Sequence, residues 1–141
     1  MREKLLKTYL CIAVKINREY TMPDTLSSSQ KEKLRNQLYS RDGHICHYCM
    51  IKEYDFLNIW KEFYGRSYRG KRLEIDRKGN NVIENKREYT LENCVLACAL
   101  CNMAKSDKFT EEEFKKVGEV IRQIWQERKI RLTSKGSERQ V

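Results

Sequence analysis

The chain has 141 residues and a mean hydropathy of −0.80, with 40% hydrophobic and 35% charged residues. This length predicts one domain, and so polar a composition excludes a large apolar core, so a bound metal ion would add usefully to folding. Lys and Arg total 29 against 20 Asp and Glu, which gives a net charge of +9. The excess favours nucleic acid as a partner, then an anionic membrane surface, although a merely soluble basic protein fits it equally well.

The N-terminus and the cysteines bear on the compartment. No apolar run approaches the roughly 20 residues that span a bilayer, and the N-terminus lacks the small-residue cleavage pattern of a signal peptide. We therefore expect a cytoplasmic protein without a membrane segment. Thiols stay reduced there, so the six cysteines are expected to bind metal rather than form the disulfides of a secreted protein.

The first predicted element is a segment over 1–28 that could be helical or extended. A helix is expected to begin near Ser29 and to end at Gly43, which opens the loop that follows. Aromatic and aliphatic residues predict a further, shorter helix over 52–64.

The middle of the chain is more polar. A basic loop with two glycines is predicted over 65–72, and period-two alternation predicts a strand over 72–76. A polar turn is expected over 78–86. Residues 89–96 could then return as a second strand or enter a helical turn.

The last predicted element is an amphipathic helix over 111–130. Thr110 and Glu113 form a capping-box pattern in front of apolar residues at helical spacing. We expect the zinc domain described below to span 29–131 and the polar residues 132–141 to form a flexible tail.

Two Cys-x-x-Cys pairs, Cys46/Cys49 and Cys98/Cys101, carry the strongest signal. Two thiolates separated by two residues can hold one tetrahedral ion from a tight turn, and a second pair completes a four-cysteine site. Because four thiolates saturate the ion, we expect one structural zinc ion per chain, whose binding energy is also folding energy. The alternative is two unrelated pairs of buried cysteines.

The remaining cysteines, Cys11 and Cys94, are expected to pack in the core, as free cysteines commonly do. Cys94 could also compete as a zinc ligand. His44 and His47 flank Cys46 and could replace a thiolate, although four cysteines are already available.

Three motifs complete the pattern: Arg41-Asp42-Gly43-x-x-Cys46-x-Tyr48-Cys49, then Leu73-Glu74-Ile75-Asp76-Arg77, then Glu92-Asn93-Cys94 running on through Cys98-x-x-Cys101-Asn102 to Lys105. Together they resemble the HNH endonuclease family in its zinc-stapled form, over about residues 38–108. The resemblance implies an α+β fold: a small ββα-metal, treble-clef-like core with a four-cysteine structural zinc, flanked by helices. It also implies hydrolysis of phosphodiester bonds in DNA.

By this resemblance, Asp76 and Asn102 bind a catalytic divalent ion and Asn93 holds the loop in shape. Carboxylate and amide oxygens suit Mg²⁺ or Mn²⁺, which would stabilise charge on the phosphoryl and leaving oxygens. Glu74 shares a strand face with Asp76 and could be a further ligand, a partner of a ligand or a solvated carboxylate. For Asp76 and Asn102 the alternative is turn capping. Lys105 resembles a family position suited to a phosphate.

Arg77 stands where the family has the histidine that activates the attacking water. Arginine stays protonated, so it can contact a phosphate but cannot be that base. His44 or His47 could take the proton instead, or the water could lose it without a protein base, at a cost of about 10²–10⁴-fold in rate. The domain could also bind without cutting.

Basic side chains around the predicted strand are expected to contact nucleic acid, above all DNA, unless they form a merely solvated face. They are Arg66, Arg69, Lys71, Arg72, Lys78 and Lys105. The sequence therefore predicts a metal-dependent HNH-type DNA endonuclease. The alternatives are a catalytically degenerate HNH domain that binds nucleic acid and a zinc-stapled protein-interaction module.

Overall fold

The computed structural model describes residues 25–56, 71–79 and 87–137. Its elements in chain order are α1 (Ser28–Asp42), the single turn α2 (Glu53–Asp55), β1 (Glu74–Arg77), β2 (Cys94–Ala97), α3 (Ala99–Lys105) and α4 (Glu111–Ser137). Two strands followed at once by a helix, with helices on either side, confirm the predicted α+β class and its ββα core. The predictions for 1–24, 57–70, 80–86 and 138–141 lie outside the described residues.

Local signals set both ends of α1. Ser27 and Gln30 form a capping box, in which the Ser27 hydroxyl accepts from the Gln30 amide at 3.2 Å and the Gln30 side chain accepts from the Ser27 amide at 2.9 Å. At the other end Gly43 adopts a φ of 74°, a left-handed conformation that glycine enters without steric cost. Leu34 and Leu38 turn inward from the helix and are buried.

The sheet is a single antiparallel pair. Glu74 lies opposite Ala97 and Asp76 lies opposite Val95, so these two acidic residues project from the same face of β1. The strand begins two residues later than its alternation predicted and includes Arg77. Between the two alternatives for 89–96, the structure places a strand at Cys94–Ala97, every residue of which is buried.

Helices cover this small sheet. α1 packs on both strands, and α3 packs on β1 directly after leaving β2. Cys98 caps α3 with its own sulfur, which accepts from the Cys101 amide at 3.4 Å. The core therefore lies where β2 meets the cysteine pairs, and it continues to Phe114 and Trp125 on α4.

The C-terminal helix confirms one prediction and extends another. The Thr110 amide donates to Glu113 at 2.9 Å and the Glu113 amide donates to the Thr110 hydroxyl at 3.3 Å, as the capping box requires. The helix continues to Ser137 instead of ending at 130, so most of the predicted tail at 132–141 is helical. Leu132 packs against the core, which keeps this last part of the helix attached.

Among the helices that the structure describes, none combines the length and apolar character that crossing a bilayer requires. The predicted domain boundaries at 28 and 131 remain predictions.

Candidate metal centre and active site

The two cysteine pairs converge on one point. The sulfur atoms of Cys46, Cys49, Cys98 and Cys101 all lie within 4.8 Å of one another, and all four residues are buried. A tetrahedral ion with zinc–sulfur bonds of about 2.3 Å sets its sulfurs about 3.8 Å apart. The Cys49 and Cys98 sulfurs are 3.7 Å apart, so the cluster fits zinc.

The chemistry of the thiols also fits a cation. Hydrogen bonds from its neighbours, the Cys101 thiol first, lower the pKa of the Cys46 thiol. In return the hydrogen bond with Cys46 raises the pKa of the Cys101 thiol. Four buried thiols cannot all ionise together without a positive charge between them, and a zinc ion provides that charge by displacing the protons.

Backbone hydrogen bonds hold the first pair in place. The turn after Cys46 is closed by the Cys46 amide, which donates to Ile51 at 2.9 Å, and by the Met50 amide, which donates to Cys46 at 3.0 Å. The His47 amide donates to the Leu96 carbonyl at 2.8 Å, which ties this turn to β2. The cluster therefore joins the loop after α1 to the end of the sheet.

The other candidate ligands have different partners. Cys94 is fully buried and lies outside the cluster, and burial raises its pKa to about 12. His47 forms a hydrogen bond with Glu111 at 2.7 Å, while the His44 ring stacks on Tyr39. The prediction that Cys94 packs in the core is confirmed, whereas Cys11 lies outside the described residues.

Asp76 is a buried carboxylate with two donors. The Tyr48 hydroxyl donates to Asp76 Oδ2 at 2.6 Å, and the ammonium of Lys105 lies 3.3 Å from the same oxygen. Burial raises the pKa of the Asp76 carboxyl, and the hydrogen bond from Tyr48 and the charge of Lys105 act against that rise. An ion that binds Asp76 would stabilise its charged form further.

Asn102 faces the same strand from α3. Its amide nitrogen donates to Glu74 Oε2 at 2.7 Å, so its carbonyl oxygen is the atom left to bind a cation. Asp76 and Asn102 border one open groove, which Arg77 and Tyr89 also line. Oxygen donors of these two kinds suit Mg²⁺ or Mn²⁺, so the residues present fit the ion that the HNH resemblance implies.

Asn93 holds the chain on both sides of residues 80–86. Its side chain accepts from the Gly79 amide at 3.1 Å and donates to the Glu88 carbonyl at 2.9 Å. Its own carbonyl accepts from the Lys78 amide at 2.7 Å. These contacts join Gly79 to Glu88, while the role that the HNH resemblance implies for Asn93 stays a prediction.

Arg77 borders the groove and contacts two residues that follow the 80–86 segment in the chain. Its guanidinium donates to the Arg87 carbonyl at 2.8 Å and lies 4.8 Å from the centre of the Tyr89 ring. In the first contact the guanidinium acts as a donor and in the second as a cation, and neither gives the side chain the character of a base.

The residues expected to bind nucleic acid differ in exposure. Lys71 and Arg72 are exposed, although Arg72 lies 3.2 Å from Glu32, and Lys78 is half-buried. Lys105 is only 1% exposed: its ammonium donates to the Arg77 carbonyl at 2.8 Å and pairs with Asp76, so the structure places it inside the protein and not on a phosphate-binding surface. Arg66 and Arg69 lie outside the described residues.

Tyr48 is the residue whose role the sequence did not reveal. It belongs to the first of the three motifs and stands between the cysteines of the first pair, but nothing in that pattern indicates that its hydroxyl would reach a carboxylate 28 residues away. A buried aspartate on a strand needs a hydrogen-bond donor, and a tyrosine could provide it. No local sequence pattern indicates which tyrosine contacts Asp76.

The two-stranded sheet, the helix that follows it and the four-cysteine cluster together make a ββα-metal arrangement. Among solved structures, the chain is similar to the rare-cutting HNH restriction endonuclease PacI. The two share 24% sequence identity and a TM-score of 0.49, over 79% of this chain and 94% of that chain. No protein-family model and no curated protein matches the chain significantly.

Proposed function

We propose that this chain is a metal-dependent endonuclease of the HNH type that hydrolyses phosphodiester bonds in DNA. The observation that carries the proposal is that Asp76 on β1 and Asn102 on α3 border one groove. These side chains would hold Mg²⁺ or Mn²⁺, which when bound would stabilise the negative charge that develops on the phosphoryl and leaving oxygens.

Other residues support this assignment by holding the two ligands. Glu74 accepts a hydrogen bond from the Asn102 side-chain nitrogen, which leaves the Asn102 carbonyl oxygen as the atom that could bind a cation. Lys105 contacts Asp76 Oδ2 at 3.3 Å and so helps to hold that carboxylate in place. Asn93 hydrogen-bonds to Gly79 and Glu88, which fixes the chain next to β1.

The proton on the attacking water needs a separate account. Arg77 cannot accept it, His47 is bonded to Glu111, and neither histidine is among the described residues that border the groove. We propose that the water loses its proton without a histidine. The enzyme should then be slower than one with a general base by about 10²–10⁴-fold.

We also propose that the four-cysteine cluster holds one structural Zn²⁺. A reducing compartment such as the cytoplasm, which the sequence predicted, would keep its thiols available. Since the cluster saturates its ion, the zinc would act on folding and not on the phosphodiester.

Cleavage of supercoiled plasmid with Mg²⁺, and separately with Mn²⁺, tests the nuclease proposal. Asp76→Ala and Asn102→Ala should each lose cutting while retaining one zinc ion per chain. Asp55→Ala is the matched control, because Asp55 makes a surface ion pair with Lys129 at 3.0 Å. Wild-type protein that binds DNA but stays inert with both metals would contradict the proposal. Full activity of Asp76→Ala would contradict the metal site alone.

A catalytically degenerate, nucleic-acid-binding domain is the second candidate. It is favoured by the ammonium of Lys105 close to Asp76 and by Arg77 at the position of the missing histidine. Its test is binding to duplex DNA across a salt series. Changing Lys71, Arg72 and Lys78 to Ala should make the plot of log binding constant against log salt concentration less steep. The slope should fall by about one unit for each phosphate contact removed. A control triple of Lys116, Arg131 and Lys135, all exposed on α4, should change it less.

A further inference from the structure

A chain of contacts connects the cysteine cluster to the proposed ion-binding groove. Tyr48 lies between two cluster residues, Cys46 and Cys49, and is itself 4% exposed. Its hydroxyl donates to Asp76 Oδ2 at 2.6 Å. The cluster and the strand aspartate are therefore joined by one rigid side chain.

Packing leaves the Tyr48 ring little freedom. Phe114 of α4 meets it edge-on, with ring centres 5.1 Å apart. The backbone of Tyr48 lies against Gly118, close enough that a Cβ there would come within 2.5 Å of the Tyr48 carbonyl oxygen. Because Phe114 packs against the ring and Gly118 packs against the backbone, the Tyr48 hydroxyl is fixed in position.

Both donors to Asp76 approach the same oxygen. Tyr48 and Lys105 contact Oδ2, so the two oxygens of the carboxylate are not equivalent. With Oδ2 engaged, the rotation of the carboxylate is set, and so is the direction in which Oδ1 points. Partners that orient a ligand in this way typically contribute about 10–100-fold to metal affinity.

We propose that Tyr48 is a positioning residue that orients Asp76 for a divalent cation. The inference rests on the proposed function, because it takes Asp76 to be a ligand of that cation. It adds a residue that touches neither the substrate nor the reacting atoms and that links the ligand geometry to the integrity of the cysteine cluster.

The test uses the full chain with its zinc bound and measures Mn²⁺ affinity directly, by electron paramagnetic resonance of the free ion. Tyr48→Phe keeps the ring and its packing but removes the hydroxyl, and it should weaken Mn²⁺ binding about 10-fold with zinc content unchanged. In cleavage, the Mn²⁺ concentration for half-maximal rate should rise by the same factor, while the rate at saturating Mn²⁺ falls less. The Asp76→Ala variant gives the Mn²⁺ signal expected when the proposed cation site is absent.

Tyr39→Phe is the matched control. The Tyr39 hydroxyl also donates to a part-buried carboxylate, that of Glu53, but outside the groove. Its loss should leave the Mn²⁺ affinity unchanged. If Tyr39→Phe weakens Mn²⁺ binding as much as Tyr48→Phe does, the effect is a general loss of stability and the proposal is overturned.

The remaining outcomes separate the two proposals. Wild-type protein that binds Mn²⁺ and cuts, with a Tyr48→Phe variant of the same Mn²⁺ affinity, overturns the role of Tyr48 and leaves the nuclease intact. Wild-type protein that neither binds Mn²⁺ nor cuts overturns both. A Tyr48→Phe variant that does not fold, where Tyr39→Phe does, assigns Tyr48 to the fold and overturns the positioning role.

Discussion

Gly118 of α4 lies directly against the backbone carbonyl of Tyr48. A Cβ at position 118 would come within 2.5 Å of the carbonyl oxygen and 2.7 Å of its carbon. Helix propensity alone would favour alanine here by about 1 kcal/mol. The contact explains a glycine inside an otherwise regular helix, because only the absence of a side chain lets α4 approach the cysteine turn this closely.

Gly118→Ala should therefore destabilise the protein, by about 1–3 kcal/mol, because the clash is with backbone and the helix must shift away. Urea unfolding measures the difference in the free energy of unfolding. Val120→Ala, at a position 56% exposed on the same helix, should stay within about 0.5 kcal/mol of wild type. A stabilised Gly118→Ala protein would mean that α4 does not dock as described.

The cysteine cluster predicts a contrast between two buried cysteines. Cys46→Ala removes one of four ligands, so the protein should lose its zinc and unfold in large part. Cys94→Ala removes a buried thiol that lies outside the cluster, so it should keep one zinc ion per chain at a modest loss of stability. Elemental analysis and circular dichroism of both variants provide the measurement. Folded wild-type protein without zinc would contradict the assignment.

Arg77 allows a test of the missing base. Arg77→His and Arg77→Ala both lose the contacts with the Arg87 carbonyl and the Tyr89 ring, but only histidine adds a group that can accept a proton. If the side chain at 77 can reach the attacking water, Arg77→His should cut plasmid faster than Arg77→Ala, by up to about 10²-fold. Equal rates for the two variants would place position 77 out of reach of the water.

Glu53 predicts a pH-dependent contribution to stability. Its carboxylate accepts from the Leu73 amide at 2.7 Å and from the Tyr39 hydroxyl. Burial pushes the pKa of Glu53 upward, but these hydrogen bonds and His44 outweigh it and hold the pKa below its ordinary value of 4.5. A depressed pKa stabilises the folded state above pH 4.5, and this stabilisation is lost as the pH falls through the lower folded value.

Glu53→Gln should accordingly lower the free energy of unfolding at pH 7 by about 1–3 kcal/mol, as expected for hydrogen bonds to a charged group. The difference from wild type should shrink as the pH falls below 4.5. Denaturant unfolding at several pH values measures it, with Glu92→Gln as an exposed control. A difference that does not depend on pH would show that the charge of Glu53 contributes nothing.

Residues close together in the sequence determine several local features of this protein. Although the fold brings the two halves of the cluster together, the cysteine spacing predicts each half, because a Cys-x-x-Cys turn brings its two thiolates to one point without help from distant residues. The same holds for the end of α1 at Gly43 and for the capping box at Thr110 and Glu113, since the groups that hydrogen-bond there are at most four residues apart.

The partners of the site residues were decided only by the tertiary structure. Asp76 meets Tyr48 from earlier in the chain and Lys105 from later in it, and Asn102 meets Glu74 28 residues away. Such pairs depend on the register of β1 on β2 and on how α3 docks against the sheet, which no local pattern specifies. For the same reason Lys105, whose sequence position suited a phosphate, became the buried counter-charge of a carboxylate. The sequence shows which side chains carry charge, but only the packed fold determines which of them are withdrawn from water and must be compensated there.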